Sequence, residues 1–206
     1  MPKRSHADQE RYDAAKRCVK EFDAALALID TGIFKIRAKA GGMIPFKPTH
    51  VQTKLYKHIR VQMNNGKPVK IIILKARQRG FSTAIAVLFM ALSITREAVV
   101  TLVVAHEKKS ADKIFEIYRR SLHHLPEDKQ PETKFDSMRQ VVFKGSESQI
   151  GVEIAVQGKL GRSDTVTYAH FSEFAWWDEQ RETLQAALSA IPKVVGTIAI
   201  IETTAT

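Results

Sequence analysis

Cysteine is nearly absent. Cys18 is the one cysteine in 206 residues, which excludes an intrachain disulfide framework and suits a reducing cytosol. The N-terminal stretch "MPKRSHADQERYDAAKR" has no apolar core of the kind a signal peptide needs. Long hydrophobic runs are missing as well. The most apolar stretch, "AIAVLFMALSI" from Ala84 to Ile94, falls short of the ~20 residues that span a bilayer. It reads as a buried helix, and no membrane is expected as a partner. No internal repeat and no low-complexity tract occurs. Acidic residues do not balance the basic ones: 32 Lys and Arg stand against 22 Asp and Glu, a formal charge of +10. That excess suggests a polyanionic partner, with nucleic acid first, against the plainer reading of a solvated basic surface.

What is present fits one sizeable α/β domain. Residues 5–29 read as a polar-to-amphipathic helix broken at Gly32. The segment 32–50, with Gly41, Gly42, Pro45 and Pro48, reads as irregular. Thr49 is placed to cap a helix over "HVQTKLYKHIRVQM", and "NNGKP" turns the chain into the strand "VKIIIL". An apolar helix from Ser82 to about Thr95 leads to the buried strand 98–105 and an amphipathic helix 110–122. "EDKQPETK" reads as a solvated loop. "QVVFKG", "GVEIAVQG", "DTVTYAHFSE" and "GTIAIIETTAT" read as strands, with a helix over 177–190 before the last. Strands buried on both faces and alternating with helices predict an open, mostly parallel sheet flanked by helices. In such sheets ligands bind at the carboxyl ends of the strands. "KARQRGFST", "SE" and "ETTAT" fall there.

The loop "KARQRGFST" has the layout of a phosphate-binding loop, but Phe81 fills the slot where Gly-Lys-Ser/Thr would put its lysine. Gly80 permits the turn. Ser82 stands where such a loop places its Mg²⁺-binding hydroxyl, with Thr83 beside it. The cations lie upstream: Lys75, Arg77 and Arg79. Lys75 and Arg77 are each long enough to reach the phosphates, Arg77 with a planar fork. The alternative is a solvated basic turn. Glu173 is placed to act as base or to orient water. Ser172 holds the slot where an aspartate would steady the hydrated metal. The alternative is a helix-start glutamate favoured by the dipole. The hydroxyls of "ETTAT" are placed to sense a terminal phosphate, or simply form a turn. Gln52 carries the donor and acceptor that match an adenine edge, or is an exposed helical glutamine.

Taken as an ordered set, "KPTHVQTKL", "IIILKARQRGFST", "GRSDTVTYAHFSEFAWW" and "IIETTAT" resemble the ATPase domain of the large terminase subunit of tailed bacteriophages. The resemblance runs from about residue 45 to the last residue. It implies a RecA-like P-loop NTPase using ATP and Mg²⁺ to drive double-stranded DNA into a procapsid. The implied partners are a portal protein, a small terminase subunit and further copies of the chain in a ring, in the bacterial host cytoplasm. Some members of the family start the loop with lysine, matching Lys75, and others carry a loop arginine, matching Arg77. The implied nucleotide-binding set is Gln52, Lys75, Arg77, Gln78, Arg79, Gly80, Phe81, Ser82 and Thr83, with Phe81 packing under the helix start. Gln52 would read adenine. Glu173 would be the catalytic carboxylate, assisted by Arg77 and by Arg162 reaching a neighbouring subunit. Ser82 and Ser172 would face the metal. Thr203, Thr204 and Ala205 would couple hydrolysis to movement.

Two departures stand out. Ser172 replaces the expected aspartate, and the sequence stops at Thr206, where the family continues into further strands and a nuclease domain. The expectation is therefore an N-terminal helical extension, 1–44, and an ATPase domain, 45–206, incomplete at its end and without nuclease activity. A helicase-like translocase and a catalytically silent binding fragment are the competing readings. Of the remaining chemistry-bearing residues, His123 and His124 read as helix-end surface, His170 as structural, and Trp176 and Trp177 as docking the following helix, with Asp178 and Glu179 in its first turn.

Overall fold

In the computed structural model, residues 5–155 and 165–204 are described. Ser5 caps helix α1, His6–Asp30, its hydroxyl accepting the Asp8 N–H. Phe22, Ala25 and Ile29 turn inward at helical spacing and join the main core. The segment read as irregular contains a small antiparallel pair, β1 (Lys35–Arg37) and β2 (Met43–Pro45). Gly41 and Gly42, both at positive φ, form the turn between them. The glycines taken for breakers are thus hairpin residues. Helix α2, His50–Asn64, follows, and the Gln52 side chain accepts the Thr49 N–H at 2.9 Å to close its first turn.

The remaining elements are β3 (Val69–Lys75), α3 (Phe81–Thr95), β4 (Val100–Ala105), α4 (Lys108–His123), β5 (Thr133–Asp136), β6 (Gln140–Phe143), β7 (Gln149–Ile154), β8 (Tyr168–Ser172), α5 (Gln180–Ser189) and β9 (Ile198–Thr204). One seven-stranded sheet has the order β3-β9-β8-β4-β7-β6-β5. The first five of these strands are parallel, and β6 and β5 are antiparallel. This is the mostly parallel α/β sheet expected. The segment "EDKQPETK", read as a solvated loop, ends in a strand: β5 takes its last two residues and runs on beyond it. All four of its residues are exposed, so backbone pairing to β6 holds it and no apolar alternation announces it.

Helix α3 is apolar all round, and Ala84 to Ser93 are buried without a break. It lies between the sheet and the α1 and α4 helices, which is why it has no polar face. Phe89 stacks on Tyr168 of β8 with ring centroids 5.3 Å apart. Helix α5 covers the other face, above Leu102, Val104, Phe171 and Ile201. It begins later than the pattern predicts. Trp177 first docks into the sheet, donating from Nε1 to the Ser172 carbonyl at 3.0 Å and meeting Phe171 and Phe174 edge-on. A short 3-10 turn, Phe174–Trp176, allows this. Asp178 and Glu179 therefore precede the helix, with Glu179 at its N-cap in a left-handed conformation, and are not first-turn acids.

Candidate active site

Side chains alternate across a strand, and this parity collects the polar residues. On β3, Ile71 and Ile73 pack into the core beneath α3, so Lys75 faces the same way. On β9, Ile198 and Ile200 do so, and Glu202 and Thr204 follow them. On β8, Tyr168 sets the parity for His170 and Ser172. Parallel pairing then aligns Lys75 with Thr204, and Ser172 with Glu202. All five polar side chains meet at the carboxyl ends of adjacent strands, below the N-terminus of α3.

Lys75 Nζ lies 3.0 Å from Glu173 Oε1 and 3.7 Å from Glu202 Oε2. Glu173 sits just past β8 in a left-handed conformation, φ +52°, an uncommon state for a non-glycine residue that turns its carboxylate back over the sheet. Its Oε2 accepts the Thr204 hydroxyl at 2.9 Å and the Thr204 N–H at 3.3 Å. Glu202 is fully buried. Its Oε1 accepts from Ser82 Oγ and from Ser172 Oγ at 3.2 Å, and lies 3.1 Å from His170 Nε2. Burial alone pushes the Glu202 carboxyl up. The His170 contact, the Lys75 charge and the Ser82 hydrogen bond together outweigh it, so the group stays ionised below the usual carboxylate range.

The loop itself is tied from behind. Gln52 Nε2 donates to the Gly80 carbonyl at 2.9 Å and the Arg79 carbonyl at 3.2 Å. Gln52 is buried and its Oε1 is also bonded. The alternative of an exposed helical glutamine gives way to a buried side chain that struts the loop on α2. Left-handed backbone at Gln78 and Gly80, φ +61° and +70°, curls the loop. Phe81 is partly buried against the core, and Ser82 and Thr83 open α3 beside it. As first-turn residues of a helix, their N–H groups have no acceptor one turn back, the feature by which a helix start can receive an anion. Arg77 and Gln78 line an open cleft of about 630 Å³ together with Lys75, Glu173, Trp176 and Thr204. Arg79 is exposed on the loop. The cleft's other wall is the β4–α4 corner, His106, Glu107, Ser110 and Lys113. An apolar cleft of about 450 Å³ at the opposite ends of β3 and β9 is lined by no carboxylate.

Sequence reasoning placed Lys75, Arg77, Gln78, Ser82, Ser172, Glu173 and Thr204 around this point and missed Glu202, the residue on which three of the contacts converge. A signal existed: a carboxylate inside the apolar run "IAIIETT" has to be paired where it is buried. The β4–α4 corner carried none. Thr203 faces the opposite side, accepting the Ala175 N–H at 3.1 Å. Arg162 and Ala205 lie outside the described residues. The tryptophans divide, Trp177 buried and Trp176 exposed on the cleft. His123 pairs with Asp136 at 3.1 Å. Among the described residues no group of three or more His, Cys, Asp or Glu gathers at metal-holding distance, and no helix is long and apolar enough to cross a membrane.

The structure superposes on the large terminase of bacteriophage HK97 with a TM-score of 0.69, at 15% identity, over 88% of this chain and 37% of that one. The fold is that of a large-terminase ATPase domain. A mutant form of the Thermus phage P74-26 large terminase ATPase domain matches with a TM-score of 0.59, at 18% identity, over 78% of this chain and 66% of that one. The chain thus spans little more than a third of the HK97 protein. No protein-family model and no curated protein matches the sequence.

Proposed function

We propose that the chain is the ATP-hydrolysing motor domain of a phage DNA-packaging terminase, using Mg-ATP to move double-stranded viral DNA. The observation that supports this best is the Lys75–Glu173 pair, 3.0 Å apart at the foot of a curled loop that opens a helix. A cation for phosphate oxygens and a carboxylate for water occupy one cleft, as hydrolysis of a phosphoanhydride requires.

The residues fit the substrate. Phosphate oxygens would lie on the free N–H groups at the start of α3, with Arg77 at the rim. Lys75 would leave Glu173 for the β- and γ-oxygens. Glu173, released, would orient water on the terminal phosphorus and take its proton. Thr204 holds Glu173 Oε2 and lies on a strand that reaches back through the sheet, so a change at the carboxylate would be passed to β9. Bound Mg²⁺ would supply charge neutralisation of the β,γ-oxygens, and the Ser82 hydroxyl would help to hold it. The excess of basic residues supplies the attraction for DNA.

Steady-state ATP hydrolysis by the purified chain, with and without double-stranded DNA, tests the proposal. Mg²⁺-dependent turnover that rises with DNA is expected. Nucleotide binding without turnover under both conditions would point instead to a silent binding fragment, and strand separation to a helicase-like translocase. A portal protein, a small subunit and a ring of copies complete the proposed machine.

A further inference from the structure

Position 172 leaves a chemical gap. The residue ahead of the catalytic glutamate is a neutral serine, although an ionised side chain is needed to steady a hydrated dication against the loop hydroxyl. The geometry points to Glu202, on the neighbouring strand β9, as the carboxylate that fills this role, with His170 as its positioning residue. This rests on reading the cleft as a Mg-ATP site.

Four observations converge. First, β9 lies between β3 and β8 in the sheet, so a side chain on it is nearer the loop than one on β8. Second, Glu202 accepts the Ser82 hydroxyl directly, the group expected to touch the metal. Third, Ser172 is not idle: it donates to the same Oε1 at 3.2 Å, and His170 Nε2 stands 3.1 Å away. The serine and the histidine are therefore the frame that aims the carboxylate. Fourth, Oε2 is fully buried and without a hydrogen-bond partner, its nearest cation being Lys75 at 3.7 Å. Buried carboxylate oxygens are rarely left so. With Lys75 drawn to the phosphates, Oε2 would be free to hold the hydration shell of a dication, and Ser82 would hold that ion beside it. The aspartate that β8 lacks is replaced by a longer acid one strand closer.

The test is equilibrium binding of a non-hydrolysable ATP analogue, with and without Mg²⁺. In the parent chain Mg²⁺ should tighten binding by at least about tenfold, the factor of one charge-assisted hydrogen bond. In Glu202→Gln that enhancement should fall towards unity, while metal-free binding stays within about twofold. Adding Ser172→Asp to Glu202→Gln should restore it, and failure to do so overturns the exchange of roles between β8 and β9. If Glu202→Gln does not fold, Glu202→Asp keeps the buried charge and should still cut the enhancement severalfold. Unchanged enhancement in either folded variant overturns the assignment. His170→Gln should raise the Mg²⁺ concentration needed for half-maximal enhancement without abolishing it, and an unchanged requirement removes His170 from the account. Absence of analogue binding by the parent, with or without Mg²⁺, would overturn the underlying nucleotide-site reading instead, and is distinguishable on that ground.

Discussion

Lys75 pairs with Glu173, which under the proposed mechanism it would leave for the phosphates, so the two residues should fail differently. Glu173→Gln keeps the shape and the Thr204 hydrogen bond but cannot take a proton. Turnover should drop by at least about a hundredfold, the scale of general-base loss, while analogue affinity stays near the parental value. Rapid-quench hydrolysis and a binding titration read the two separately. Gln52→Ala removes the strut under Gly80 and leaves two carbonyls short of a donor. It should cost about 1–3 kcal/mol in a denaturant melt and weaken nucleotide binding through the loop. Legibility at this scale was uneven. That Lys75, Ser82 and Glu173 gather at one strand end was readable, because their types fall at the carboxyl ends of strands in an open sheet. The contacts of Gln52 were not readable, because no spacing shows that both ends of its amide are engaged within the protein.

Strands decide the site more than any single residue does. β9 is the last strand in the sequence, yet it inserts between β3 and β8, and the sequence order gives no hint of that. In the sequence Glu202 is simply the neighbour of Thr203, and in the fold it lies against Ser82. Helix α3 was legible from end to end, because an apolar run of that length with no polar face must be buried. β5 was not, because pairing rather than burial fixes it. The loop depends on two left-handed residues, Gln78 and Gly80. Gly80 has φ +70°, and a Cβ there would stand 3.0 Å from Gln52 Nε2. Gly80→Ala should therefore destabilise by about 1–3 kcal/mol and push the strut off the loop. A thermal melt that is unchanged would show that the loop can curl without glycine.

At the scale of the molecule, buried tyrosines set the alkaline limit. Burial pushes the Tyr168 hydroxyl from 10.0 up to about 12, against the opposing pull of Arg96. Tyr56 and Tyr118 are driven up by burial as well. A raised folded value means stability fully present below pH 10.0 and lost as pH climbs through about 12. Melting temperature should be level through neutral pH and fall across that window, and Tyr168→Phe should flatten part of the fall. The charge of +10 predicts a second global property. Affinity for double-stranded DNA should drop steeply, and without regard to sequence, as salt rises. The central claim remains that the cleft between β3, β8 and the start of α3 holds the triphosphate. Calorimetric titration of Mg²⁺ with a non-hydrolysable ATP analogue into the parent chain and into Lys75→Ala tests it most directly. The account predicts saturable one-to-one binding by the parent, weakened about tenfold or more in the variant, the loss expected for one charged hydrogen bond to phosphate. Equal affinity in the two proteins, or no binding by the parent, would contradict it.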